Sequence, residues 1–252
     1  MRVLLTNDDG ILAPGIRALG EVFRAAGHRV FVCAPDRERS AASHSGTFNR
    51  ALRAREADFP GAERAWAVDG TPADCASLGL FLTRDAGVDV VISGINRGMN
   101  QGGACVYSGT VGAAMEAAMC GTQALAVSLC VAHAHGEDRE DYAPAARAAL
   151  RVAEWMPAHP LPRGVIYNLN VPTLPYEQIR GIAAARLAEV FLDDPDYTLT
   201  EDGWSYCGAP RRIDLTGTDV GLTRAGFASL TKLTWDFRLN AEDCELNTVL
   251  LN

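Results

Sequence analysis

With 252 residues, a mass of 26.9 kDa and 48% hydrophobic side chains, the chain can bury the core of one large α/β domain, or of one domain with an appendage. Its net charge of −8 offers no basic field against phosphate repulsion, which argues against a nucleic-acid polymer as a stable partner. No run of about 18 apolar residues is present to span a membrane, and no basic, then apolar, then small-residue leader opens the sequence, so the expected compartment is the cytoplasm.

Val3-Leu4-Leu5 reads as a buried strand, followed by an amphipathic helix from Ile16 to Ala26 that Gly27 closes. Val30 to Ala34 is a second strand, stopped by Pro35. Thr71-Pro72-Ala73-Asp74 starts a helix, with threonine as N-cap, proline in the first turn and an acid near the positive end. Val88 to Ile92 is another buried strand, Thr110 to Met119 a helix of small residues, and Ala124 to Leu129 a further strand. A long helix spans Tyr142 to Trp155, and a strand follows from Gly164 to Val171. Strands alternating with helices imply an α/β, Rossmann-like fold of three layers, a parallel sheet with helices on both faces.

From about Pro172 the pattern changes, and proline, glycine, aspartate and the aromatics Tyr197, Trp204 and Tyr206 become frequent. Ile182 to Leu187 and Trp204 to Cys207 suit the strands of hairpin arms, which bury little alone and so are expected to pack on another subunit. The expected organisation is a catalytic core over residues 1–172 and a C-terminal β-hairpin extension over 173–252, part of it returning to the core. Seven scattered cysteines without a C-x-x-C pattern suit a reduced protein with buried thiols. Lys232 is the one lysine, and no Walker-type phosphate loop is present.

In an open parallel sheet, ligands bind beyond the carboxyl ends of the strands. After the first strand comes Thr6-Asn7-Asp8-Asp9-Gly10; after the second, Asp36-Arg37-Glu38-Arg39-Ser40; after the Val88–Ile92 strand, Ser93-Gly94-Ile95-Asn96-Arg97-Gly98. Asp8 and Asp9 repel one another unless a cation lies between them. Hard divalent cations such as Mg²⁺ and Mn²⁺ take one or two carboxylates, neutral oxygens and water. Asp8 and Asp9 supply the charge of such a site, and Ser40 Oγ and Asn96 Oδ1 complete it. On the phosphate side, Asn7, Gly10, Ser93, Gly94 and Gly98 line the loops, and Ser108-Gly109-Thr110 opens a helix whose exposed N–H groups suit an anion. Each stretch alone is a common turn or cap sequence; their convergence on one sheet edge is what argues for chemistry. His44 lies near Ser40 without a partner, His133 and His135 fall in an expected loop, and none of the three is expected to be catalytic.

The residues resemble the SurE (survival protein E) family of metal-dependent 5′-nucleotidases. The resemblance rests on "LLTNDDG", "APDRERSAAS", "VDGTPADC", "VVISGINRGMN", "YSGTVGAAMEA", "YNLNVP" and "GTDVGL", in order from Leu4 to Leu222. It implies a Rossmann-like core with a C-terminal extension exchanged between subunits, in a homodimer or homotetramer. It also implies hydrolysis of nucleoside 5′-monophosphates, with 3′-monophosphates and short polyphosphate as further substrates. The resemblance further implies one divalent ion per subunit, Mg²⁺ or Mn²⁺, held by Asp8, Asp9, Ser40 and Asn96. The chain departs from the family pattern at Ala104-Cys105, where an acid is usual, at Ala117 and at Lys232.

The expected mechanism is attack by metal-activated water, with Asp8 and Asp9 as the catalytic carboxylates and Asp8 orienting the water. An aspartyl-nucleophile phosphatase is the alternative, but its two acids usually follow a D-x-D spacing, and here they are adjacent. A receiver-like phospho-acceptor needs a further aspartate after the middle strand and a later lysine, where this chain has Ser93 and Asn96. A nicotinamide site is weaker still, because no G-x-G-x-x-G follows the first strand.

Overall fold

The computed structural model describes residues 1–131, 140–189, 197–206 and 214–235. Its first half is a run of strand–helix units: β1 (Arg2–Thr6), α1 (Pro14–Ala25), β2 (Arg29–Pro35), β3 (Ala54–Glu56), β4 (Arg64–Val68), α2 (Pro72–Leu82), β5 (Val90–Arg97) and α3 (Gly109–Met119). The second half adds β6 (Gln123–Cys130), α4 (Ala143–Trp155), β7 (Val165–Pro172), β8 (Ile182–Ala184), β9 (Tyr197–Thr200), β10 (Gly203–Tyr206), α5 (Asp219–Arg224) and β11 (Ala228–Thr234).

Nine of these strands form one sheet, in the order β3-β4-β2-β1-β5-β6-β7-β11-β8. The chain winds outward from β1 through β2 to β4, then returns to lay β5, β6 and β7 on the other side. The order reverses between β1 and β5, and that crevice is where doubly wound sheets bind ligands. The central strands read as continuous apolar runs because both faces are covered. Val3, Leu5, Val30, Val32 and Ile92 pack under α1 and α4, whereas Leu4, Phe31, Cys33 and Val91 pack under α2 and α3. Helix α2 begins in a capping box: Thr71 Oγ1 accepts from Asp74 N, and the Asp74 carboxylate accepts from Thr71 N.

Several elements differ from the sequence expectation. The sheet is mostly parallel, but β11 runs antiparallel to β7 and β3 antiparallel to β4. Strand β8, expected in a hairpin arm, instead pairs in parallel with β11 at the sheet edge. The hairpin of the second half is β9–β10, which carries the exposed Leu199 and Trp204; Cys207 lies outside the described residues. Strands β3, β4 and β11 and helix α5 are not among the expected elements, although α5 carries local helix signals: Thr218 as N-cap, Asp219 in the first turn and Arg224 in the last. Cys33, Cys75 and Cys105 are buried thiols as expected, but Cys120 is exposed. No helix among the described residues is long and apolar enough to cross a membrane.

Strand β5 does not stop at Ile92. It continues past an irregularity: Ser93 pairs with Ala126 and Asn96 with Ser128, so two residues, Gly94 and Ile95, face the single Val127. A bulge of this kind re-aims the side chain that follows it, here Asn96. Gly94 has φ +141, and a Cβ there would lie 2.3 Å from the Val127 carbonyl oxygen. Gly94→Ala is therefore expected to cost roughly 2 kcal/mol or more in urea unfolding, through strain and backbone collision. Gly121→Ala, at φ +92 but with open space around it, should cost only about 1 kcal/mol.

Candidate active site

The loop after β1 buries its first carboxylate. Asp8 is 4% exposed and lies against the start of α3. A Cβ on Gly109 would sit 2.9 Å from Asp8 Cβ and 3.0 Å from its Oδ2, so this position of the helix admits only a glycine. Thr110 Oγ1 donates to Asp8 Oδ1 at 2.5 Å. Burial pushes the Asp8 carboxyl above its ordinary range, while the hydroxyl and backbone amide of Thr110 favour the ionised form. The α3 N-terminus adds a positive partial charge of the same sense.

Asp9 is only partly buried, yet burial and the neighbouring Asp8 charge push it up to about 7. Its Oδ2 accepts from Arg97 N at 3.3 Å. The chain turns at Gly10, whose φ is +98; Asn7 Nδ2 donates to the Gly10 carbonyl at 2.9 Å, and Ala13 N bonds the same oxygen at 3.0 Å. Such a turn is what two adjacent residues on an extended segment need before both can face one ion.

The two other loops are tied to this pair by their backbones. Arg39 N donates to the Asp8 carbonyl at 2.7 Å, one residue before Ser40, and Arg97 follows Asn96. Ser40 is exposed, and its hydroxyl donates to Glu38 Oε1 at 2.6 Å. Asn96 commits Nδ2 to the Gly98 carbonyl at 2.9 Å, which leaves its oxygen as the atom free to accept. Three fully buried oxygens beneath the loops have no partner: Thr6 Oγ1, Asn7 Oδ1 and Ser93 Oγ. Thr6 and Ser93 are register partners across the β1–β5 switch point.

The remaining expected phosphate contacts divide. Ser108 is the N-cap of α3 and accepts from Val111 N at 3.1 Å, which leaves its own proton free to donate. Thr110 spends its hydroxyl on Asp8. The close approach at Gly94 is to Val127, inside the sheet, and the Gly98 amide is spent on the Leu129 carbonyl at 3.0 Å. His44, without a partner in the sequence, lies 2.8 Å from Glu116 Oε2 on α3; His133 and His135 lie outside the described residues. Among the described residues no three His, Cys, Asp or Glu side chains gather as a metal site, so a cation here needs neutral oxygens as well.

Sequence reasoning passed over two parts of this region. One is Glu38, whose charge contributes to raising both Asp8 and Asp9; its only signal was its place two residues before Ser40. The other is a polar clamp on the loop between β5 and α3. Asn170 Oδ1 accepts from Asn100 N, and Asn170 and Asn168 both donate to the Asn100 carbonyl, each at 2.9 Å. Asp219 accepts from the backbone amides of Gly102 and Ala188 at 2.9 and 2.8 Å. The motifs "YNLNVP" and "GTDVGL" thus hold the loop that joins Asn96 to Ser108.

Residues 3–193 match the model of the family described as survival protein SurE. The chain is 39% identical over 241 residues to the 5′-nucleotidase SurE of Xylella fastidiosa (strain 9a5c), covering 94% of this chain and 90% of that one. It is 41% identical over the same length to the 5′-nucleotidase SurE of Xanthomonas axonopodis pv. citri (strain 306), with the same coverage. The crystal structure of SurE protein from Aquifex aeolicus superposes with a TM-score of 0.80 at 33% identity, over 94% of this chain and 95% of that one.

The raised Asp9 carboxyl has a stability consequence. Between its unfolded value near 4 and its folded value of about 7, the folded state binds more protons than the unfolded one. Its contribution is therefore fully present below pH 4 and is lost as pH rises through 7. Urea unfolding in excess chelator should show stability falling by about 1 kcal/mol per pH unit across that window. Asp9→Asn should flatten the fall; an unchanged slope would show that other groups cause it.

Proposed function

The chain belongs to the survival protein SurE family, and from that membership we propose that it is a metal-dependent phosphomonoesterase that hydrolyses nucleoside 5′-monophosphates to nucleoside and phosphate. Nucleoside 3′-monophosphates and short polyphosphate are its further substrates, and the cytoplasm its compartment. The observation that carries this reading is the acid pair in the switch crevice, Asp8 buried and Asp9 partly so. Two carboxylates that burial drives toward protonation, Asp9 further by the Asp8 charge, form with the neutral oxygens of these loops a hard-cation donor set. The Asn96 amide oxygen left free and the orphaned Asn7 Oδ1 fit the same chemistry.

Asp8, Asp9, Ser40 and Asn96 would hold one Mg²⁺ or Mn²⁺. When bound, such an ion supplies Lewis-acid polarisation of a phosphoryl oxygen and lowers the pKa of water. The chain's own residues do the rest. Thr110 fixes Asp8 in one rotamer through Oδ1, and Asp8 orients the attacking water. Because Thr110 turns its hydroxyl and amide toward Asp8, anion contacts at the α3 N-terminus fall to the Ser108 hydroxyl and the Gly109 amide. Their role is to meet the charge that develops on the equatorial phosphoryl oxygens. The exposed β9–β10 hairpin and its aromatics support a homodimer or homotetramer, with residues 173–252 as the extension that assembles it.

Hydrolysis of p-nitrophenyl phosphate and nucleoside monophosphates is expected to vanish with EDTA and return with Mn²⁺ or Mg²⁺. Full turnover in rigorously metal-free protein would rule the reading out. Asp8→Asn and Asp9→Asn should each lose about 10²-fold or more in rate, since each 1.4 kcal/mol of transition-state stabilisation is tenfold. Single-turnover hydrolysis in ¹⁸O-water, with enzyme in excess, should place the label in phosphate; label in an aspartate carboxylate would favour the aspartyl nucleophile instead. Sedimentation should show a dimer or larger, and a stable, active monomer would contradict the assembly.

A further inference from the structure

Ser40 and Glu38 stand in a relation that the ligand set alone does not require. We infer that Glu38 is a positioning residue: its carboxylate accepts the hydrogen bond of the Ser40 hydroxyl and thereby leaves the Oγ lone pairs to face a cation. This rests on the ligand set proposed above.

A serine hydroxyl has one proton and two lone pairs, and it can serve as a neutral ligand only when the proton points away from the ion. Ser40 is exposed, so packing does not choose its rotamer or its O–H direction. Among the described residues, Glu38 Oε1 at 2.6 Å is its recorded side-chain partner, a separation that suits an O–H donating to a charged carboxylate. The backbone places this arrangement at the acid pair. Arg39, between the two residues, donates its amide to the Asp8 carbonyl at 2.7 Å. Two residues earlier, a Cβ on Gly10 would lie 3.1 Å from the Arg37 carbonyl carbon, so the 36–40 loop lies directly against the Asp8–Gly10 turn. Partners of this kind, which hold a ligand in orientation, typically account for 10- to 100-fold in metal affinity.

Glu38 has two effects on a nearby cation, its charge and its acceptor oxygen, and only the second acts through Ser40. Glu38→Gln keeps an acceptor oxygen and removes the charge, whereas Glu38→Ala removes both. Both positions are exposed, so the variants are expected to fold, and an unchanged urea midpoint checks this. Mn²⁺ binding is measured on the full chain without substrate, from the loss of the free-ion EPR signal, after stripping with chelator. Glu38→Ala should bind Mn²⁺ about 10-fold more weakly than Glu38→Gln. In a Ser40→Ala background the same two variants should bind alike, because the hydrogen bond that Glu38 accepts is gone.

Equal affinities of the two variants in the Ser40 background would overturn the inference, as would a difference that persists unchanged after Ser40→Ala. Asp9→Asn serves as the reference for the underlying reading. If the unmodified chain binds no Mn²⁺, or Asp9→Asn leaves its affinity untouched, the ligand set itself fails and the inference falls with it. Loss of binding in Asp9→Asn together with equal Glu38 variants would defeat the inference alone.

Discussion

Asp8 lies where the end of β1 meets the start of α3, and most of the site depends on that carboxylate remaining buried there. Burying an ion away from water is costly unless hydrogen bonds and dipoles replace its hydration. Here the replacement comes from one short stretch: Gly109 makes room, Thr110 donates its hydroxyl, and the helix terminus contributes its partial charge. The compensation is incomplete, since burial still raises the Asp8 carboxyl and Asp9 is pushed up to about 7. A pair left in that condition has a standing preference for a positive partner.

That demand fixes the layout of the surrounding loops. The switch point between β1 and β5 opens the crevice, and the bulge at Gly94–Ile95 changes which residues share a row across the sheet. Thr6, Ser93, Ala126 and Asn168 are successive register partners, and Asn96, Ser128, Asn170 and Ser229 form the next row but one, past Val127, Leu169 and Leu230. These rows replace apolar core at the carboxyl end of the strands with amides and hydroxyls. Asn170 pairs with both the N–H and the carbonyl of Asn100 as a neighbouring strand would. The loop from Asn96 to Ser108 is thereby tied to β7 through Asn100 and to α5 through Gly102, ahead of the start of α3.

The sequence by itself determined the winding of the core. Apolar runs that end before Thr6, Pro35 and Ser93, and helices opening at Thr71 and Ser108, are local signals whose physics acts within a few residues. The acid pair became legible only with the other two loops, because alone it reads as a turn sequence and together they gather oxygen donors at one sheet edge. What only the tertiary structure decided are the matters settled between distant segments. Strand β11 gains its place from pairing with β7, more than 50 residues earlier, and its local pattern gives no hint of that partner. Whether the Thr110 hydroxyl faces a substrate or Asp8, whether Gly94 serves a ligand or the Val127 carbonyl, and whether Asn168 and Asn170 are surface or clamp depend on what folding brings within 3 Å. A side chain's type restricts the bonds it can make, but the partner it spends them on is set by the packing of elements remote in sequence.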